Sequence, residues 1–124
     1  MHRLLIAASV VFLAGCGVDY QKCEAIREAG ERAQAARNEA ADNAIAAAQS
    51  SYVEKYCGTN PTTNENVSDQ EWLGRALPYM ECKEKTMTTY LDQTVEDVAK
   101  DPIVIAATSR RDKIITDFNR NRCE

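Results

Sequence analysis

Residues 20–56, YQKCEAIREAGERAQAARNEAADNAIAAAQSSYVEKY, contain eleven alanines and no proline. Alanine loses no side-chain entropy in a helix and proline alone would break one, so this stretch predicts a single long helix. Ile26, Ala33, Ala40 and Ala47 recur every seven residues, with Ala29, Ala36 and Ala44 near the intervening positions. They give the helix one nearly smooth stripe, against which another helix can pack closely. Gly58 ends the stretch, and Thr59 to Val67, with Asn60-Pro61 inside it, reads as a polar loop.

Working outward, Ser68 followed by Glu71 is a capping-box pattern that opens a second helix. Pro78 predicts an interruption after about two turns, leaving Asp69 to Leu77 as a separate short piece. Leu73, Leu77, Met80, Met87, Leu91, Thr94 and Val98 then form a stripe in alternating steps of three and four, with Glu84 as a defect. Asp101-Pro102 suits an N-cap and first helical position. Beyond it Val104, Ala107, Ile114, Ile115 and Phe118 predict a last helix that ends near Asn121. No stretch shows the alternation of a strand, and the fold class is all-α.

The other end of the chain carries an address. Basic Arg3 precedes eleven residues, Leu4 to Ala14, that are apolar apart from Ser9, followed by small residues. This is the layout of a secretory signal, and the run is too short for a membrane span, which takes roughly 20 apolar residues. Leu13-Ala14-Gly15-Cys16 resembles the lipobox of bacterial lipoproteins. The resemblance covers residues 1–16 and implies cleavage before Cys16, a diacylglyceryl group on its sulfur, and an acyl chain on the new amino terminus. Several acyl chains make a lasting anchor where one would be marginal. Gly17 stands where inner-membrane lipoproteins commonly carry aspartate, which favours the outer membrane. The expected organisation is a signal peptide at 1–15, a lipidated cysteine and short linker at 16–19, and a helical domain at 20–124.

Cleavage would leave a chain without histidine, since His2 is the only one, and with 14 basic residues (15 less Arg3) against 19 acidic. That balance argues against nucleic acid as a partner. Four cysteines remain, Cys23, Cys57, Cys82 and Cys123, an even number that an oxidising compartment would pair. Cys23 and Cys57 lie on one helix, about 51 Å apart at 1.5 Å per residue. A disulfide needs alpha carbons within about 7 Å, so these two cannot join. If the chain turns back at the loop, Cys57 meets Cys82 and Cys123 meets Cys23. The expected fold is therefore a disulfide-stapled antiparallel helical hairpin with a broken second arm. A three-helix, up-down-up bundle is the alternative. The second arm exceeds the first by seven residues (41 steps from Cys82 to Cys123 against 34 from Cys23 to Cys57), and Asp101-Pro102 is the place expected to absorb them.

Two surface clusters draw notice. Tyr52, Tyr56, Trp72 and Tyr79 flank the loop between Cys57 and Cys82, as a small core closing the tip or as a partner-binding surface held away from the membrane. Arg110, Arg111, Lys113, Arg120 and Arg122 crowd the last helix. They suit either ion pairs with Glu24, Glu28 and Glu31 across the hairpin or contact with anionic headgroups beside the anchor.

The residues offer no nucleophile and base, no phosphate loop, no cofactor motif and no metal-ligand spacing. Glu81 and Glu84, one turn apart, are the sole carboxylate pair to consider for glycan hydrolysis, and such pairs are ordinarily solvated. The expected function is a non-catalytic envelope lipoprotein that acts as a structural or protein-binding module at the outer membrane, its domain facing the periplasm. The alternative is an inhibitor or exclusion lipoprotein, of phage or mobile-element type, that blocks a hydrolase or transfer apparatus. Expected partners are the lipid bilayer, through acylated Cys16, and an envelope protein or further copies of the chain.

Overall fold

A computed structural model describes residues 17–61 and 66–123. The signal segment 1–15, the lipobox cysteine Cys16, loop residues 62–65 and Glu124 lie outside the described residues. The chain forms four helices, α1 (Tyr20–Cys57), α2 (Asp69–Thr89), α3 (Leu91–Lys100) and α4 (Pro102–Arg120). There is no strand among the described residues.

Local chemistry sets the helix ends. Asp19, expected to be linker, is the N-cap of α1, its carboxylate accepting from the Lys22 amide at 3.0 Å. Gly58 closes α1 with φ 75°, a backbone conformation that glycine adopts without steric cost. The Ser68 hydroxyl accepts from the Glu71 amide at 3.3 Å, as the capping box predicts. Asp101 caps α4 with bonds from the Ile103 and Val104 amides at 2.9 and 3.1 Å, and Pro102 is the first helical residue.

Two disulfides join Cys23 to Cys123 and Cys57 to Cys82, with alpha carbons 5.4 and 5.8 Å apart. Each of α2, α3 and α4 packs against α1, while α2 and α4 do not touch. An up-down-up bundle would bring them together, so the fold is the antiparallel hairpin and not the three-helix alternative. Thirteen residues of α2, Asp69 to Glu81, precede the bridge at Cys82. At 1.5 Å per residue they carry α2 about 20 Å past the last turn of α1.

The second arm breaks at two points, and Pro78 is neither of them. Residues 69–89 form one continuous helix through Pro78. Proline removes the donor to the carbonyl of Gly74, but both residues are exposed, so that carbonyl stays open to water and the helix survives. One break is at Asp101, as expected. The other is at Tyr90, where φ −103° and ψ 22° loosen a turn whose 3.0 Å bond from the Tyr90 amide to the Thr86 carbonyl persists.

The face that packs differs from the expected stripe on both arms. On α1 the covered residues Ile26, Ala29, Gly30 and Ala33 are followed eleven positions later by Arg37, Ala40, Ala41 and Ala44. Ala36 and Ala47 are exposed, and Arg37 and Ala48 take their places. A seven-residue repeat drifts about 20° per heptad on a straight helix, which over several heptads moves the contact to the next residue. On α2 and α3 the covered residues include Trp72, Ala76, Tyr79, Thr86 and Tyr90, each one position before a member of the expected stripe, together with three members of that stripe, Met87, Thr94 and Val98. Leu73, Leu77, Met80 and Leu91 are 47–60% exposed. On α4, Val104 is buried and Ala107, Ile114 and Phe118 are half-buried, but Ile115 is 48% exposed.

The core is consequently thin. Its buried apolar members among the described residues are Ala33, Val53, Ala76, Val104 and Cys123. Buried Thr94 donates to the Tyr90 carbonyl at 2.8 Å, which satisfies its hydroxyl within its own helix. Arg37 lays its stem in the interface, and its Nε is buried without a partner.

Two substitutions test this packing by chemical denaturation. A Cβ at Gly30 would stand 3.6 Å from Ile114 Cγ2, an ordinary contact. Gly30→Ala is expected to add about 0.5–1 kcal/mol through helix propensity. Arg37→Met is expected to stabilise by about 1 kcal/mol, because it removes an unpaired buried donor and keeps the apolar stem. A loss of stability in either variant would contradict the interface described.

Candidate functional site

The far end of the hairpin holds most of the aromatic residues, but not as one cluster. On the side of the Cys57–Cys82 bridge nearer the middle of the hairpin, Tyr90 stacks on both Tyr52 and Tyr56, with ring centroids 5.0 and 4.7 Å apart and planes within 10°. Trp72 and Tyr79 lie on the other side, in the part of α2 that overhangs α1. The expected quartet is therefore two pairs separated by a disulfide, and Tyr90 was missing from it. Its signal in the sequence was faint, since it lies eight residues after Cys82 and 21 after the start of α2 at the loop.

The tyrosine stack joins the arms with polar as well as apolar contacts. Tyr52 donates to Asp97 Oδ2 at 2.5 Å, across 45 residues of sequence. The Asp97 carboxylate holds the Tyr52 hydroxyl in its neutral form and pushes its pKa up to about 12, with desolvation adding to the effect. The neighbouring hydroxyls of Tyr56 and Tyr90 act on each other, raising the pKa of Tyr90 and lowering that of Tyr56, which the Lys55 ammonium lowers further. Lys55 Nζ lies 5.1 Å from the Tyr56 ring centroid. Beside the bridge, the buried Thr86 hydroxyl is 3.3 Å from Cys57 Sγ.

Trp72 and Tyr79 line an open hollow of about 570 Å³ together with Asn60, Met80 and Met87. Trp72 Nε1 is buried without a partner among the described residues. A second hollow of about 590 Å³ runs along Val53, Gly58 and Asn60 and shares Tyr79 and Met87 with the first. Both are open troughs at the junction of loop and helix with mixed linings, in which Lys83 and Asn60 are shared, Glu54 borders one and Glu84 the other.

The basic cluster is also divided. Arg111 turns into the interface, its side chain only 24% exposed, and pairs with Asp112 at 2.6 Å. Arg120 lies 3.8 Å from Asp117. Among the described residues Arg110, Lys113 and Arg122 make no ion pair. The expected pairing with Glu24, Glu28 and Glu31 does not occur. Arg27 engages Glu24 and Glu31 at 2.5 and 2.7 Å, and Arg32 lies 3.8 Å from Glu28. Partners one helical turn away are already in reach, whereas a cross-hairpin pair would have to order two long side chains.

Glu81 and Glu84 are exposed and, with Lys85, Thr88 and Thr89, border a shallow depression. Among the described residues no three His, Cys, Asp or Glu side chains converge as metal ligands, and no helix is long and apolar enough to cross a membrane. No family model, no curated protein and no solved structure matches the chain.

The Tyr52–Asp97 bond has a pH signature. With its folded pKa raised from 10.0 to about 12, Tyr52 contributes stability that is complete below pH 10 and is lost as pH rises through about 12. Tyr52→Phe is expected to melt at a lower temperature than the wild type at pH 7 and to lose less on going from pH 10 to 12. Ultraviolet titration should show one tyrosine ionising near pH 12 that the variant lacks. Equal alkaline sensitivity in both proteins would rule the contact out.

Proposed function

We propose that this chain is a non-catalytic lipoprotein of the cell envelope, anchored in the outer membrane through acylated Cys16 with its domain in the periplasm, where it serves as a structural or protein-binding module. The observation that carries the reading is the pair of nested disulfides. They fasten the hairpin at both ends, so the end next to residue 17 and the far end stand about 51 Å apart on a stiff support. Such a support suits presenting a surface at a distance from a bilayer. The surface is the overhang of α2, where Trp72, Tyr79 and Met80 offer aromatic and thioether groups of the kind that anchor protein interfaces.

Arg110, Lys113 and Arg122, which make no ion pair among the described residues, lie toward the Cys23–Cys123 end, beside the point where the anchor would attach. There they would add electrostatic attraction to anionic headgroups. This contribution is secondary to the acyl chains, whose buried methylenes count about 0.8 kcal/mol each.

Cys16→Ser tests the anchor. Produced with its own signal, the wild type is expected in the membrane fraction and, after extraction, to carry the mass of a diacylglyceryl group on a chain that begins at residue 16. The variant is expected in the soluble fraction. A variant that remains with the membrane refutes the anchor.

A further inference from the structure

The two bridges are not chemically equivalent. In the outer one Cys123 is only 3% exposed, so direct attack on its sulfur is blocked, and attack on Cys23 would expel Cys123 as a thiolate in buried surroundings, which disfavour that charge. In the inner one Cys57 and Cys82 are both half-buried, within reach of a thiol in solution. Beside it stands Thr86, only 6% exposed, with its hydroxyl 3.3 Å from Cys57 Sγ and 3.9 Å from Cys82 Sγ. A disulfide sulfur carries no hydrogen, so Thr86 is the donor in both contacts.

Other threonines use their hydroxyls differently. Thr88, Thr94 and Thr116 each donate to the carbonyl four residues back, at 3.0, 2.8 and 2.9 Å. The Cys82 carbonyl holds that position for Thr86, yet the Thr86 hydroxyl turns to sulfur, a weak acceptor. In the closed bridge this donor contributes little. Its contribution grows when negative charge develops on Cys57 Sγ, because a hydrogen bond to an ionised acceptor is about twice as strong as one between neutral groups. An interaction that is stronger in the transition state than before it speeds the step. The two sulfurs also differ, for the Tyr56 carbonyl oxygen stands 3.8 Å from Cys82 Sγ and disfavours charge there. Cys57 ends α1, where the last carbonyls oppose an anion, but Lys55 in the same turn offsets them and the charge-assisted bond outweighs the remainder.

We propose that the Cys57–Cys82 bridge is a thiol–disulfide exchange site that reacts with a dithiol, with Cys82 attacked, Cys57 leaving and Thr86 holding the departing thiolate. One thiolate of the dithiol attacks Cys82 Sγ and forms a mixed disulfide. The Cys57–Cys82 bond breaks, and its electron pair leaves on Cys57 Sγ, which accepts the Thr86 hydrogen bond. The second thiolate of the dithiol then attacks the first, closes the dithiol into a disulfide and expels Cys82, which takes up a proton. The dithiol loses two electrons and two protons, and the bridge gains them. Opening this bridge unfastens α2 at the far end while the Cys23–Cys123 bridge still closes the hairpin. The site rests on the surroundings of the sulfurs and is independent of the lipid anchor and of any partner surface.

Graded reduction of the purified full-length chain tests the assignment. Dithiothreitol serves as the dithiol, free thiols are capped at intervals with iodoacetamide, and the peptides are mapped by mass. Positions 57 and 82 are expected to be capped while 23 and 123 are still joined. Opening of the outer bridge first, or of both together, overturns the proposal. With glutathione as a monothiol probe, the trapped mixed disulfide is expected on Cys82, and an adduct on Cys57 instead overturns the choice of leaving group. Both readouts use the unaltered chain. Thr86→Val, which keeps the volume and removes the donor, is expected to open severalfold more slowly than the wild type, and Thr86→Ser, which keeps the donor, at close to the wild-type rate. A threonine that merely fills space predicts the reverse, since loosened packing would speed access. A valine variant that opens as fast as the wild type, or a serine variant as slow as the valine one, overturns the role given to Thr86.

Discussion

Two sulfur bridges at opposite ends of a rod hold this molecule together, and the rest of its architecture follows from how little lies between them. The core consists of alanines, two valines, a cysteine and a few hydroxyl-bearing side chains, and no large side chain among the described residues is fully enclosed. Burying a valine contributes about 1.5–3 kcal/mol, and alanine less. Closing the 25-residue loop between Cys57 and Cys82 removes unfolded-state entropy equivalent to about 3.5 kcal/mol. The outer bridge, across 100 residues, restricts the unfolded chain further, although nested loops do not add in full. Crosslinks and core are therefore of comparable weight, as in other small domains that depend on disulfides.

A smooth alanine face lets helices approach but says little about which side of a partner should face it. Polar contacts supply that information. Tyr52 reaches Asp97, Tyr90 sits between Tyr52 and Tyr56, and Thr86 lies against the inner bridge. Rotating α2 and α3 by one residue would bury leucine and methionine in place of these groups, and would leave the Tyr52 hydroxyl and the Thr86 hydroxyl without their present partners. Buried polar groups are costly when unpaired, so such contacts fix register more firmly than additional apolar surface would. The thirteen residues of α2 beyond the bridge are free of that constraint, and there the chain displays its aromatic and apolar side chains.

A hairpin assembled this way leaves much of its apolar surface outward. Leu73, Leu77 and Met80 lie exposed on α2 and Leu91 and Val95 on α3, with exposed Glu84 and Thr88 between the two groups. Among the described residues Glu81 and Glu84 stay exposed beside a shallow depression.

The chain by itself determined the all-helical class, the caps at Ser68 and Asp101, the stop at Gly58 and the disulfide pairing. Each is a short-range effect of side chain on backbone, or follows from the length of one helix, which makes it impossible for Cys23 and Cys57 to meet. Only the tertiary structure decided that α2 runs unbroken through Pro78, because tolerance of a missing hydrogen bond depends on whether water reaches the freed carbonyl. Tertiary contacts also chose Trp72, Ala76 and Tyr79 over Leu73, Leu77 and Met80 as the packed face, and buried Thr86 more deeply than its neighbour Met87. Hydropathy ranks leucine above threonine, but it cannot see the Thr86 hydroxyl that meets Cys57 Sγ 29 residues away, and neighbouring stripes on a helix differ by one residue alone.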